Sequence, residues 1–321
     1  MSERQLTLSS APHVHGKASI ARDMYLVIGA LLFPAAGAVY FFGLYALFML
    51  GVGVLSCVLT EWVAKKMRRL PFHMDGSAIV TGMLFVLVLP PRTPLWIVAV
   101  GSVFCIGIAK EAFGGLGCNI FNPALAGRAF VAVSFAGALG RWIAPTTSLM
   151  ADAVTAATPL SEGFTTVLTK PELYKALFFG NVAGSVGETS ALLILIGGAI
   201  LLAFGIIKWH MPVIYIATVF VLSWIMGQDP LFHILAGGLM LGAFFMATDY
   251  VTSPLTTKGK IIFAVGAGVL VVLIRLLGSM PEGVAFSILV MNAFTPLIDR
   301  YARPRSLGAA RRRSKAKTGG D

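Results

Sequence analysis

Residues 141–190 contain the stretches Asp152-Ala153-Val154-Thr155-Ala156-Ala157-Thr158-Pro159-Leu160 and Gly180-Asn181-Val182-Ala183-Gly184-Ser185-Val186-Gly187-Glu188-Thr189-Ser190. On both sides of this segment the chain consists of apolar runs, each close to the roughly 20 residues that a helix needs to cross about 30 Å of hydrocarbon. Two neighbouring helices do not need so long a connection. We therefore expect this segment to carry function.

The composition defines the class of protein. Of the 321 residues, 57% are hydrophobic and 12% are charged, and the mean hydropathy is +0.85. A soluble domain needs a larger share of charged residues on its surface. In lipid, the helix is the open-chain structure that satisfies its own backbone hydrogen bonds. The sequence therefore predicts an all-α polytopic membrane protein.

Ten apolar runs predict about ten transmembrane helices. They lie near residues 23–42, 43–64, 75–91, 94–112, 122–140, 189–207, 211–227, 231–248, 260–278 and 283–301. Two sets of five favour a duplication, and an odd number of helices per half gives the halves opposite orientations. The frame Asn-x-Phe-x-Pro occurs at Asn119–Pro123 and again at Asn292–Pro296. We predict two inverted five-helix repeats.

The distribution of cations predicts the orientation in the membrane. With both termini inside, 20 of the 25 Lys and Arg residues fall on one side and 5 on the other, so the positive-inside rule makes the crowded side cytoplasmic. The predicted parts are a cytoplasmic N-terminal segment (1–22), a first membrane half (23–140), an extracytoplasmic loop (141–188), a second membrane half (189–301) and a basic cytoplasmic tail (302–321). The location that this orientation implies is a bacterial inner membrane, with the loop in the periplasm.

The basic tail and the cysteines allow two interpretations each. The cations at 311–317 could bind RNA, but contact with anionic membrane lipid explains them better, and we expect no nucleic-acid partner. Cys57, Cys105 and Cys118 have no metal-ligand spacing. Cys118 is interpreted as a small packing residue rather than as a ligand that completes a site with a partner, and we expect no metal site. Only His233 is predicted within a helix, which argues against a haem.

Polar residues next to helix breaks are the candidate binding residues inside the membrane. Asn119 and Asn122 offer donors and acceptors that could bind the edge of a heterocycle. The alternative is that they cap the fifth helix, since Asn before Pro123 is a common helix start. For Glu111, Asp249 and Asp299, a solvated position at the membrane interface is favoured over a functional one.

The run Asp152-x-x-Thr155-x-Ala157-Thr158 resembles the flavinylation motif of the membrane subunits of Rnf complexes and of Na⁺-translocating NADH:quinone reductases, the NqrB/RnfD family. Similar blocks extend from residue 75 to residue 300. They are Asp75–Pro91, Gly114–Arg128, Gly180–Ser190 and Phe245–Pro254. The length and the short N-terminal segment favour the Rnf branch. Ala156 stands where the family usually has Gly or Ser, and Tyr250 where Pro is common.

The resemblance implies the chemistry of the site. Thr158 is expected to carry FMN through a phosphoester bond, and Asp152 and Thr155 to be recognised by a flavin transferase. Asn181, Glu188 and Thr189 are expected to contact this flavin, because the glycines around them allow close backbone approach. A second, noncovalent flavin such as riboflavin is compatible with the family. We expect no catalytic residue in this chain.

The resemblance also implies the activity. The chain is expected to relay electrons in an ion-translocating ferredoxin:NAD⁺ oxidoreductase, a translocase that couples electron transfer to movement of Na⁺ or H⁺. NAD and ferredoxin would bind other subunits, which fits the lack of a dinucleotide-binding fingerprint. The alternatives are a small-solute channel or secondary transporter, which has no use for a flavinylated loop, and a purely structural scaffold. The sequence decides neither the ion nor the direction of electron flow.

Overall fold

The computed structural model describes residues 19–140, 142, 145, 160, 169–278 and 283–303, and all regular elements in these ranges are helical. The helices are α1 (Ile20–Phe42), α2 (Leu44–Met67), α3 (Ser77–Leu87), α4 (Leu95–Val103), α5 (Pro123–Ser134), α6 (Ala136–Leu139), α7 (Lys170–Phe179), α8 (Ala191–Ala203), α9 (His210–Ile225), α10 (Pro230–Leu235), α11 (Leu239–Leu241), α12 (Thr257–Leu277) and α13 (Val284–Ala302). Phe104–Ile108 and Gly242–Met246 form π-helical turns that continue α4 and α11. The predicted all-α fold is confirmed.

Each of the ten predicted runs contains a helix, but the helices differ in length. Four are long and apolar enough to cross a membrane: α1, α2, Leu95–Phe113 and α12. The 11 residues of α3 cover about 16 Å at 1.5 Å per residue, roughly half of the hydrocarbon thickness. α5 and α8 are similarly short, with 12 and 13 residues. The eighth run is broken between α10 and α11.

The helix starts follow from local sequence chemistry. The Asn122 carboxamide accepts hydrogen bonds from the backbone N–H groups of Ala124 and Leu125 at 3.1 and 3.4 Å, and Pro123 occupies the first helical position of α5. Asp229 and Pro230 start α10 in the same way. In each pair, the side chain of the first residue accepts from a backbone N–H that would otherwise be unpaired. The proline that follows has no N–H to pair. The capping interpretation of Asn122 is therefore confirmed.

Small residues let the helices approach closely. α2 packs on α3 and α4, α1 packs on α8, and α12 packs on α9 and α13. Gly82 of α3 faces the α2 backbone, where an added Cβ would lie 2.8 Å from the Cα of Val54. Small residues serve this purpose at helix interfaces in membranes. α3 is therefore held at backbone contact with α2.

The two Asn-x-Phe-x-Pro frames meet in the bundle. The Asn292 side-chain oxygen accepts a hydrogen bond from the backbone N–H of Asn122 at 3.0 Å, and its amide donates to Ile288 O. Asn292 is 1% exposed. The contact joins α5 of the first half to α13 of the second. The inverted repeat itself stays a prediction.

The long loop contains a helix that was not predicted from the sequence. α7 begins with a capping box, in which Glu172 accepts from the backbone N–H of Thr169 at 2.9 Å and from its hydroxyl at 2.8 Å. The Tyr174 hydroxyl donates to Asp229, which joins α7 to the start of α10. The flavinylation motif, Asp152 to Thr158, lies outside the described residues.

Candidate binding site: a polar cavity at one end of the bundle

A cavity opens where α3, α5 and the end of the second π-helical turn meet. Its atom-free space, including the open mouth and the solvent in front of it, is about 740 Å³. The polar lining consists of Ser77, Thr81, Lys110, Asn119, Asn122, Thr248, Asp249 and Tyr250, and the apolar lining includes Val80, Leu84, Leu201 and Phe245. Three of the four family blocks quoted above contribute to this lining. These blocks are far apart in sequence, and the fold brings them together.

Backbone irregularities position the polar groups. The first π-helical turn ends two residues before Lys110, and the second ends two residues before Thr248. Such turns are frequent at functional sites because they shift the following side chains out of helical register. α3 and α5 begin at the cavity, so that the positive ends of two helix dipoles face it. The cavity is therefore mostly apolar, with a group of polar side chains placed on its wall.

Asn119 carries an unpartnered acceptor. Its amide donates to Phe121 O at 3.1 Å, whereas its Oδ1 is buried and has no hydrogen-bond partner among the described residues. Asn119 is 6% exposed and lines the cavity. A buried acceptor without a partner costs roughly 1–3 kcal/mol. A ligand with an N–H group would remove this cost.

Asn122 has a different role from Asn119. Its oxygen caps α5, and its amide nitrogen lies 3.4 Å from Met246 O at the end of the second π-helical turn. Both hydrogen-bonding groups of the side chain are thus used within the protein. Asn122 shapes the wall of the cavity by joining two elements, whereas the Asn119 oxygen is available to a ligand.

Lys110 is a buried cation at the cavity wall. It is 1% exposed, and its Nζ donates to Glu61 Oε1 at 3.0 Å and to Ser77 Oγ at 2.7 Å. An ammonium group has three donors, and no third protein acceptor occurs among the described residues. One N–H of Lys110 is therefore available to a ligand. Lys110 was not among the binding residues predicted from the sequence.

Charges around Lys110 form a balanced network. Lys65 also pairs with Glu61, at 2.9 Å, and Arg68 pairs with Glu111 at 3.1 Å. Ser77 donates to Asp75, which precedes α3, at 2.6 Å. Burial alone would destabilise the Asp75 carboxylate, but the hydrogen bonds from the Ser77 backbone N–H and hydroxyl offset this cost. Such pairing is what makes buried charge tolerable.

Two interpretations from the sequence require correction. Glu111 is 5% exposed, so its predicted solvated position was wrong. Its side chain folds back to Arg68 because the short helical turn at Glu111–Phe113 keeps it inside the bundle. His210 is the first residue of α9, so His233 is not the only histidine in a helix. Asp249 is half-buried and accepts from the Thr252 hydroxyl at 2.9 Å.

The block at 180–190 lies at the opposite end of α3. The backbone N–H groups of Val186 and Gly187 donate to Leu89 O and Leu87 O at 3.0 and 2.7 Å. Asn181 is exposed, and Glu188 is half-buried. The Thr189 hydroxyl lies 3.4 Å from Ser185 O, within its own block. Contacts of these residues with a flavin stay predictions.

Glu188 and Arg275 lie on either side of the break in the eighth run. Arg275 donates to His233 O at 2.6 Å and to Ala236 O at 3.1 Å, at the C-terminal end of α10. A Cβ on Gly238 would lie 2.6 Å from Glu188 Oε1, and one on Gly237 would lie 2.7 Å from the Leu160 side chain. The signs of both charges complement the adjoining helix ends. Leu160 follows Thr158 by two residues and is the described residue nearest in sequence to the flavinylation motif. Its side chain lies beside this break.

The described residues contain no metal cluster. No group of three or more His, Cys, Asp or Glu residues in the described part could hold a metal ion.

The family model described as the NQR2, RnfD, RnfE family matches residues 7–308. The chain is 47% identical to the D subunit of the proton-translocating ferredoxin:NAD(+) oxidoreductase complex of Clostridium ljungdahlii, over 95% of this chain and 97% of the relative.

Two further relatives are informative. The chain is 46% identical to the D subunit of the Na(+)-translocating ferredoxin:NAD(+) oxidoreductase complex of Acetobacterium woodii, over 99% of this chain and all of the relative. It is 39% identical to the D subunit of the ion-translocating oxidoreductase complex of Stutzerimonas stutzeri, over 91% of this chain and 93% of the relative. The names of the first two relatives specify different ions, protons and Na⁺, although the chain is almost equally identical to both. Similarity therefore does not decide which ion is moved.

Proposed function

Because the chain belongs to the NQR2, RnfD, RnfE family, we propose that it is the electron-relaying membrane subunit of an ion-translocating ferredoxin:NAD⁺ oxidoreductase of the Rnf type. Its partners are the other subunits of that complex, a flavin transferase during maturation, and membrane lipid. Electron transfer through the chain is coupled to movement of Na⁺ or H⁺. The names of relatives that match almost the full chain support this assignment.

The observation that carries the proposal is the cavity beside Lys110. Asn119 Oδ1 lacks a donor, and Lys110 has one N–H to spare. A ligand that fits them presents an N–H next to a carbonyl, as an imide edge does. The apolar walls formed by Val80, Leu84 and Phe245 suit a flat ring. The pyrimidine edge of a flavin has this pattern, so a noncovalent flavin such as riboflavin fits the residues present.

The chain's own residues bind and orient such a ring. Asn119 accepts from its N–H, Lys110 donates to its carbonyl, and Asn122 fixes the wall by joining α5 to Met246. Tyr250 closes part of the mouth, where its hydroxyl donates to Ile206 O. The flavin supplies the electron-accepting chemistry when bound, while the protein tunes it through hydrogen bonds and nearby charge.

A second flavin, FMN, is proposed at Thr158 through a phosphoester, with Asp152 and Thr155 recognised by the transferase. Support comes from the motif and from its sequence neighbour Leu160, which contacts Gly237 at the break beside Glu188. Glu188 is then the most direct candidate contact for this flavin. The two flavins would belong to opposite ends of α3, the FMN on the extracytoplasmic side of the membrane and the cavity on the cytoplasmic side.

A secondary transporter is the second candidate function. The short helices α3 and α5, which begin at the cavity, resemble the discontinuous helices that bind solutes in transporters. This alternative predicts no redox activity.

Membrane vesicles that contain the assembled complex test the function. We expect reduced ferredoxin to drive NAD⁺ reduction and cation uptake in the wild type, and Thr158→Val to abolish both. Thr165→Val, a threonine of the same loop outside the motif, is the matched control and should behave as the wild type. Full activity of Thr158→Val would contradict the proposed relay, and vesicles that move a solute without ferredoxin would favour the transporter.

A further inference from the structure

Lys110 lies between a buried carboxylate and the cavity. On one side Glu61, 2% exposed, shares a single carboxylate oxygen between Lys110 and Lys65. On the other side is the cavity, which Lys110 and Ser77 line together. Glu61 itself does not line the cavity. Among the described residues that line the cavity, Lys110 is the basic side chain and Asp249 the acidic one. The ammonium is thus the cation through which the buried network reaches the ligand.

We propose that Lys110 sets the electron affinity of the ring in the cavity, and that Glu61 opposes it by withdrawing part of the ammonium charge. This inference rests on the noncovalent flavin of the proposed function. One-electron reduction by the partner subunit that donates the electron adds one negative charge to the ring. A cation within hydrogen-bonding distance stabilises that charge, and the effect is large because the Lys110 side chain is buried.

Glu61 has the opposite effect for the same reason. Its negative charge destabilises the reduced ring, and its hydrogen bond holds the ammonium away from the cavity. Lys65 is bound to the same Glu61 oxygen, but its side chain is 17% exposed and does not line the cavity. The structure thus assigns two buried residues opposite effects on one redox potential. It also supplies a neighbouring lysine as a matched control.

The test is a redox titration of the noncovalent flavin in the purified complex, with dithionite as reductant and ferricyanide as oxidant. We expect Lys110→Met to lower the ratio of reduced to oxidised flavin at a given potential at least tenfold. For a one-electron step this is a fall of about 59 mV in the midpoint potential. Glu61→Gln should raise the potential. Lys110→Arg keeps the charge and should stay close to the wild type, and Lys65→Met should shift the potential far less than Lys110→Met.

The outcomes separate this inference from the proposed function. If the wild-type complex releases no noncovalent flavin on denaturation, both the flavin proposal and the role of Lys110 are overturned. If the flavin is present but Glu61→Gln and Lys110→Met shift the potential in the same direction, or not at all, only the inference is overturned. Should Lys110→Met fail to assemble, the rise in Glu61→Gln carries the test, and its absence refutes the inference.

Discussion

Replacing Asn119 by Ala should weaken binding of the noncovalent flavin without unfolding the chain. The side chain makes one internal hydrogen bond, from its amide to Phe121 O at 3.1 Å, and its buried oxygen has no partner in the described residues. Its removal therefore costs the free protein little. When the flavin is bound, its ring N–H would lose this buried acceptor.

The magnitude follows from the cost of an unmet buried donor. That cost is about 1–3 kcal/mol, which corresponds to roughly a 5- to 150-fold higher dissociation constant. The assay is the fluorescence of flavin released by denaturation after dilution of the complex, measured against time. Covalent FMN in the same sample serves as an internal standard for the amount of protein.

Asn181→Ala is the matched control, because Asn181 is exposed and lies in the block at the other end of α3. It should leave the noncovalent flavin unchanged. An Asn119→Ala complex that retains its noncovalent flavin as long as the wild type would refute the assignment of this oxygen to the ligand.

Two further predictions concern packing and pH. Gly82→Ala should destabilise the bundle by about 1–3 kcal/mol through overpacking, because the added Cβ would lie 2.8 Å from Val54 Cα. Gly51→Ala is the control and should be neutral or stabilising, because nothing lies within 4 Å of its Cβ. Thermal unfolding in detergent measures both variants, and equal effects would contradict the packing argument. Burial alone would raise the pKa of Asp229, but hydrogen bonds from Tyr174 and the Phe232 N–H hold it below 3.8. The stability that this contact contributes is therefore full above pH 3.8 and is lost as the pH falls through the lower folded pKa. The protection factors of the α7 amides, which correct for the intrinsic exchange rate at each pH, should fall on acidification in the wild type. They should fall less in Tyr174→Phe, in which only the Glu172 capping box still titrates; equal falls in both would disprove the contact.

The sequence predicted the helical architecture because apolar runs and caps are local signals. Asn122 before Pro123 marked the start of α5, and the structure uses both residues in this way. α7 also had a local signal, the Thr169-x-x-Glu172 capping box. It was missed because the helix lies in a long polar segment rather than in an apolar run.

The candidate site could be predicted only in part, because it depends on contacts between distant residues. Asn119 was identified as a candidate from its type and position. Lys110 was not, since its partner Glu61 lies 49 positions away and Ser77 lies 33 away. The break between α10 and α11 also had a weak local signal, the pair Gly237-Gly238. Its stabilisation by Arg275 depends on tertiary packing.

The distinction between Asn119 and Asn122 shows the same limit. Both were candidates for capping or for ligand contact, and the position before Pro123 favoured Asn122 as the cap without excluding ligand contact by either. Only the backbone path from Lys110 to Pro123 determines that Asn122 caps α5 and that the Asn119 oxygen is left without a donor among the described residues.

Covalent flavin on this chain is the central claim, and in-gel fluorescence of the denatured 34.0 kDa band measures it most directly. Wild type, Thr158→Val and Thr165→Val would each be co-expressed with an active flavin transferase. The account predicts a fluorescent band for the wild type and Thr165→Val and a dark band for Thr158→Val. A dark wild-type band, with the transferase active on another substrate, would contradict the account.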